Sequence, residues 1–416
     1  MKGHVKLELK KSNGDIKTVE QDNLITNAIP NFIANSISSK GVMSTMKNPE
    51  VMMGGVLLFA DTLTEDKNNI VLPTDIDILG VGKSSNDSSI PFLGTYILSE
   101  SGVVENSYKF VWDFSPSQAN GTIKAIALTN GDRDASIYGG YFVYEQFLGS
   151  ETFYYGGLDL LKVGNSSRNG YFPICIDEND NIYAITDSQQ EVIKIQTTYN
   201  GKIHINKPKI NVEVLKTLGN PNIIWAVNGF DGYAYVGYTS GSNYSIKKYK
   251  ISDYSFADEG VVVSFPYASF GSKYIAFAVY NSNTIYAACY NGETKQKLRK
   301  VSLSGEITDL TEDIGAVKGI APLSNDRILI VRNVGEFIFY PKTDTLSQVS
   351  KKSYDHLAAP LILTNRHGIK IKRDTRSFYI AQAFNYLATI CNLETPIEKT
   401  ADQTLRVTYT LTDINT

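Results

Sequence analysis

The chain of 416 residues is poor in the side chains that most often do chemistry. It has three cysteines and four histidines. Cys175, Cys289 and Cys391 lie far apart, are odd in number and sit in apolar runs. They read as buried packing residues, neither a disulfide framework nor metal ligands. The protein is therefore expected to be soluble and to be made in, or to tolerate, a reducing compartment. His4, His204, His356 and His367 form no H-E-x-x-H pair, and no G-x-S-x-G elbow or G-x-x-x-x-G-K-[ST] loop occurs. On these grounds no catalytic residue, no metal site and no cofactor is assigned.

Charge of one sign is also missing. The 40 Lys+Arg stand against 43 Asp+Glu, a net charge of -3. That balance gives no general attraction to nucleic acid or to an anionic membrane surface. The longest apolar run, "VMMGGVLLFA" at 51–60, falls well short of the roughly 20 residues that span a bilayer, so no membrane insertion is expected. The amino-terminal "MKGHVKLELKKSNGD" alternates charge with Val and Leu and is not read as a secretory signal. Helical periodicity is scarce. Only "DNLITNAIPNFIANSIS" places Ile25, Ile29, Phe32, Ile33 and Ile37 on one face, which predicts a helix starting near Asn27 with Pro30 in its first turn.

What is present is β-forming. The 26 Tyr and 18 Phe, with abundant Ile, Val and Thr, suit a pleated, half-buried surface. Apolar runs of four to eight residues end in Gly, Asn, Asp or Ser, so the fold class is mainly β. One unit recurs. Its central strand reads "DNIYAITD", "DGYAYVGY", "SNTIYAACY", "NDRILIVRN" and "TRSFYIAQAF", with the first apolar position at Ile182, Tyr233, Ile285, Ile328 and Phe378. Each copy has a strand before it ("FPICID" in the first) and one after it ("EVIKIQ"), and often a weaker fourth. Four-stranded repeats of about 40–50 residues mark a β-propeller, whose sheets must stack because one sheet cannot cover both its faces. The expectation is five blades, with four or six as alternatives, "ETFYYGGLDLLKV" (151–163) as a closing strand, and a stacked β-sandwich as the competing fold.

Residues 1–148 are not repeated. "HVKLEL", "SNGD" and "IKTVEQ" predict a hairpin, followed by the helix and by strands at "GGVLLFAD", "TYILSES", "YKFVWDF" and "GTIKAIALT". This predicts a small β-sandwich-like anchor domain with one helix, completed by residues 386–416, with the propeller inserted as residues 149–385. "IDENDNIYAITDSQQEVIKI" resembles an NHL-type propeller repeat. The opening "GHVKLELKKSNGDIKTVEQDNLITNA", the segment "YKFVWDFSPSQANGTIKAIALTN" and the ending "TPIEKTADQTLRVTYTLTD" resemble tail-fibre-like virion proteins of phages and prophages of low-GC Gram-positive bacteria. The resemblance covers about the first third and the very end of the chain, leaving the repeats aside. It implies a receptor-binding virion protein of a tail tip, fibre or baseplate, made in the bacterial cytoplasm and partnered by other virion proteins. A homo-oligomer is expected, a trimer being one option. The alternative is a purely structural baseplate or capsid-decorating protein, and a third reading is an enzyme degrading cell-surface polysaccharide.

Candidate binding residues follow from composition. Tyr238, Tyr244 and Tyr290, beside Asn243 and Asn291, fall where repeat strands give way to loops in two neighbouring units. Tyrosine offers a flat apolar face with a polar edge, suited to stacking on sugar rings, so these five residues are the expected contacts to a host-surface glycan. Tyr280 and Asn281 share the pattern; ordinary blade packing is the competing account of all these tyrosines. The acidic "IDENDN" turn lacks the glycine and the distal glutamate of a calcium loop and reads as a β-turn.

Overall fold

The computed structural model describes residues 1–30, 53–83, 90–131, 137, 171–186, 190–197, 210–219, 222–281, 283–289, 297–324, 326–332, 334–350, 369–373, 378–382 and 386–412. Strands β1 (Lys2–Lys11) and β2 (Ile16–Ile25) form the opening hairpin. Then come β3 (Gly55–Phe59), β4 (Ile78–Lys83), β5 (Leu93–Tyr96), β6 (Gly102–Val104), β7 (Ser107–Phe114) and β8 (Gly121–Thr129). The four blades follow. Blade one is β9 (Tyr171–Ile176), β10 (Ile182–Thr186), β11 (Glu191–Thr197) and β12 (Ile210–Thr217). Blade two is β13 (Ile223–Asn228), β14 (Tyr233–Ser240), β15 (Asn243–Lys250) and β16 (Ala257–Pro266). Blade three is β17 (Ile275–Asn281), β18 (Thr284–Cys289), β19 (Lys297–Ser302) and β20 (Ile307–Asp313). Blade four is β21 (Val317–Ser324), β22 (Arg327–Arg332), β23 (Gly335–Tyr340) and β24 (Thr345–Ser350). A two-stranded sheet, β25 (Ile369–Arg373) and β26 (Phe378–Gln382), precedes β27 (Thr389–Lys399) and β28 (Gln403–Thr412).

The non-repeated part is a closed barrel, which corrects the expected sandwich. Its ring runs β28-β1-β2-β27-β8-β3-β4-β5-β7 and returns to β28, with β6 added beside β7. Closure rests on β28, which pairs with β1 on one edge (Leu405 opposite Leu9) and with β7 on the other (Leu405 opposite Phe114). Both edges are used, so no edge is left open there, whereas a sandwich would leave two edges on each of its sheets. The alternation in "QTLRVTYTLT" sets which side faces in. Leu405, Val407, Tyr409 and Leu411 join Val5, Leu7, Leu9, Phe110, Trp112 and Phe114 in the barrel core. Of the predicted helix, residues 28–30 are helical and the remainder lies outside the described residues. Thr26 caps that turn: its Oγ1 accepts the Ala28 N–H at 3.2 Å while its hydroxyl donates to the Leu387 carbonyl at 2.6 Å. The chain leaves the barrel after Thr129 and re-enters at Tyr386. These points touch, the Tyr386 N–H donating to Thr129 Oγ1 at 3.1 Å. The boundary at 148/149 and the segment 151–163 lie outside the described residues.

The repeats form a propeller-like array of four four-stranded antiparallel blades, where five were expected. Of the fifth sequence unit, the described residues form the β25–β26 sheet, with β25 lying beside β9. First strands β9, β13, β17 and β21 neighbour one another in series. Seams between blades are aromatic and hydrogen-bonded. Phe172 meets Trp225 edge-on (centroids 5.9 Å apart), Tyr286 meets Phe339 (5.0 Å), and Asn228 Nδ2 donates to the Ile174 carbonyl at 3.0 Å.

Blade four has a different neighbour on each face. Ile328, Ile330, Phe337 and Phe339 join the propeller core. Leu323, Leu329, Val331, Ile338 and Val349 pack instead on the outside of the barrel, against Leu57, Phe59, Ile78, Val81, Ala125 and Ala127. This explains two sequence runs. "GVLLF" and the "ILIV" of 328–331 are apolar throughout because both faces of β3 and β22 are covered. Each such side chain contributes about 1.5–3 kcal/mol when fully buried. A polar clamp closes the seam. Arg327, 3% exposed, donates to the carbonyls of Ile76 (2.9 Å) and Thr74, and its Nη1 lies 2.9 Å from Asp77 Oδ1 as an ion pair. The fully buried Glu336 accepts the Ile137 N–H at 3.0 Å. Cys175, Cys289 and Cys391 are all buried free thiols, and burial pushes Cys175 and Cys391 up to about 12.

Candidate functional site

The turns of the array emerge at two ends, and Tyr238, Asn243 and Tyr244, three of the residues expected to bind a glycan, belong to one of them. Asn243 opens β15 opposite Ser240, across a tight turn in which Gly241 takes φ 60°, and its side chain is exposed. Tyr238 and Tyr244 flank the same hairpin but point into the protein. Tyr244 is 0% exposed: its hydroxyl donates to the Ile275 carbonyl of blade three at 2.8 Å. Its ring stacks on Phe265 and meets Phe277 edge-on. The Tyr244 hydroxyl passes where a side chain on residue 237 would stand, 2.0 Å from an ideal Cβ, which explains Gly237 in the middle of β14. Tyr238 is 9% exposed, leaving little ring face for a ligand. Tyr290 and Asn291 lie outside the described residues, one and two positions after β18 ends at Cys289. The structure thus brings Tyr238, Asn243 and Tyr244 together in one hairpin, with the two rings built into the blade packing. Tyr280 is partly buried, its ring centroid 5.9 Å from that of Tyr286.

The opposite end carries the turns between first and second strands and between third and fourth strands. In blade one the acidic turn is held by its first carboxylate. Asp177 Oδ1 accepts the N–H groups of Asn179 and Asn181, both at 2.9 Å, and Oδ2 accepts Asn181 Nδ2 (2.8 Å) and the Tyr183 hydroxyl (3.1 Å). Burial raises the Asp177 pKa, but the bonds from Asn181, Asn179 and Tyr183 outweigh it and hold the carboxyl below its ordinary value. Burial and the bond to Asp177 push the Tyr183 phenol up to about 12. Blade two repeats the device, Asp231 Oδ2 accepting the Tyr235 hydroxyl at 2.7 Å while Oδ1 accepts the Tyr233 N–H. Burial and Asp231 together raise Tyr235.

Across the seam between these blades lies an aromatic stack. Tyr254, in the turn after β15, stacks on Tyr183 with centroids 4.8 Å apart and planes 18° apart. It remains 37% exposed, while Phe230, in the turn after β13, is 44% exposed. Both have left-handed backbones, φ 58° and 57°, where bulky residues are uncommon; such strain costs about 1–3 kcal/mol each. Burial first, then the charges of Cys175, Asp177 and Glu178, raise the Tyr254 phenol. Nothing in the sequence marked Phe230 or Tyr254, because neither residue type signals a left-handed turn. Spacings such as D-x-x-x-Y are too common to single out Asp231 and Tyr235.

The barrel carries a concavity of about 580 Å³ lined by residues including Glu8, Lys10, Thr95, Asp113, Gln118 and Arg406. Its main cation is committed. Arg406 grips Asp113 with two bonds of 2.7 Å and Glu100 with one of 2.9 Å, and these partners raise its pKa. Among the described residues no group of three or more His, Cys, Asp or Glu side chains is placed to hold a metal ion, and no helix is long and apolar enough to cross a membrane.

No protein-family model matches the chain, and no curated protein matches it. Solved structures to which it is similar include a nidogen/laminin complex at 9% identity and TM-score 0.32, covering 53% of this chain and 84% of that one. Another is apo AztD from Citrobacter koseri, at 13% identity and TM-score 0.31, covering 63% and 69%. A third is a gluconolactonase from Xanthomonas campestris, at 8% identity and TM-score 0.30, covering 49% and 69%. Similarities this slight carry no argument about activity.

Proposed function

We propose that this chain is a phage virion protein of a tail tip, fibre or baseplate, in which the barrel attaches to the particle and the propeller-like array binds a host-surface glycan. The observation that supports this reading most is the seating of blade four. Its outer face is buried on the barrel and clamped by Arg327, so the array is held at a fixed attitude. Exposed turns of blades one and two remain available at one end, and the β14–β15 turn of blade two at the other. An attachment protein needs that division, with a module that docks and a module that is presented. Self-association through the barrel would multiply a weak single site by avidity, by about 10²–10⁴.

Two measurements test the reading. Immunogold labelling with antibodies to the barrel is expected to mark the tail of intact particles, and the purified full chain is expected to bind cells of the propagating strain and to block adsorption. Labelling without cell binding would favour a purely structural baseplate or decorating protein. Release of reducing sugar from host walls would favour a polysaccharide-degrading enzyme.

A further inference from the structure

Resting on the reading of the array as glycan-binding, we propose that the sugar stacks at the seam of blades one and two, on Tyr254 and Phe230, and that it is a neutral pyranoside and not an anionic polymer. One face of the Tyr254 ring is occupied by Tyr183, so its 37% exposure belongs to the face and edge turned outward. Tyr183 is itself fixed by its hydroxyl bond to Asp177, whose turn is locked by three further bonds. The platform is therefore rigid before a ligand arrives, which lowers the ordering cost of stacking. Phe230 supplies a second exposed ring at the same end. Its turn is tied to blade one because Asn228 accepts the Phe230 N–H at 2.7 Å and donates to the Ile174 carbonyl.

The polar groups around the stack select the ligand. Glu178 and Asn179 are exposed at the tip of the Asp177 turn; of the neighbouring cations, Lys250 is paired with Asp253 at 2.8 Å and Lys194 lies over the Tyr183 ring, 6.0 Å from its centroid. A carboxylate accepts sugar hydroxyls and repels phosphate, so a neutral ring with several hydroxyls fits where poly(glycerol phosphate) does not. The other end offers less, since both tyrosine rings of the β14–β15 hairpin are buried.

The test is an array of neutral oligosaccharides of glucose, galactose and N-acetylhexosamines, with poly(glycerol phosphate) included, probed with the full chain. Binding to neutral sugars is expected. Tyr254→Gly and Phe230→Gly each remove a ring while relieving a left-handed backbone, so each should weaken binding about tenfold with no loss of melting temperature. Tyr254→Phe keeps the ring and should restore the binding that Tyr254→Gly loses. Unchanged binding in both glycine variants would overturn the assigned site while leaving a glycan-binding protein. Preference for poly(glycerol phosphate) would overturn the assigned ligand class. Failure of the parent chain to bind any saccharide would overturn the glycan reading itself.

Discussion

Removing the Arg327 guanidinium tests whether the barrel and the array stand or fall together. In Arg327→Ala the carbonyls of Thr74 and Ile76 lose charged donors in a seam where the arginine is 3% exposed, and Asp77 loses its counter-ion. Hydrogen bonds to charged groups are worth about 1.5–3 kcal/mol each, and breaking a buried pair costs about 3–5 kcal/mol. Asp77 is 45% exposed at its side chain, so water recovers part of its loss and the lower half of that range applies. The two tryptophans give a separate signal for each module, because Trp112 lies in the barrel core and Trp225 in the array core. Urea unfolding followed by Trp112 in a Trp225→Phe background, and by Trp225 in a Trp112→Phe background, should give one coincident transition with Arg327 intact. With Arg327→Ala the midpoints should fall by about 1–2 M, taking a slope of about 2–3 kcal/mol per molar, and the two signals should separate. The exposed pair Lys342–Asp326 is the control, and Lys342→Ala should change stability by less than about 1 kcal/mol. If Arg327→Ala leaves both midpoints in place and coincident, the clamp contributes nothing and the seam is not what couples the modules.

Two further outcomes are expected. Deleting residues 403–416 unpairs the edges of β1 and β7 and removes Leu405, Val407, Tyr409 and Leu411 from the core, about 1.5–3 kcal/mol each against a typical total of about 5–15 kcal/mol. The Trp112 transition should vanish and the Trp225 transition should fall, because blade four loses its cover; an unaltered Trp112 transition would show that the barrel closes without β28. Asp177 has a folded pKa below its unfolded value, so its contribution is complete above about pH 5 and is lost as pH falls through about 4 and below. The stability gap between the parent and Asp177→Asn should therefore shrink between pH 5 and pH 3, and a gap that stays constant would mean the carboxylate bonds do not matter.

Much of this architecture is legible locally. Short β-forming runs bounded by turn residues, recurring from Ile182 to Phe378, specify four-stranded units that must stack, because strand period and turn chemistry act over only a few residues. The alternation of Leu405, Val407, Tyr409 and Leu411 likewise marks one inward face. Partners and counts are another matter. That β28 closes a barrel by pairing with both β1 and β7 depends on pairings between residues up to about four hundred positions apart. The same holds for the site. Tyr238 and Tyr244 have the composition of a sugar platform, yet both are buried, Tyr244 against blade three, while Phe230 and Tyr254, unmarked in the sequence, are held outward by strained turns. Which side of a strand is covered, and by what, is decided only when sheets pack. The unbroken "ILIV" of β22 announces burial on both faces, but only the folded chain shows a barrel covering one of them.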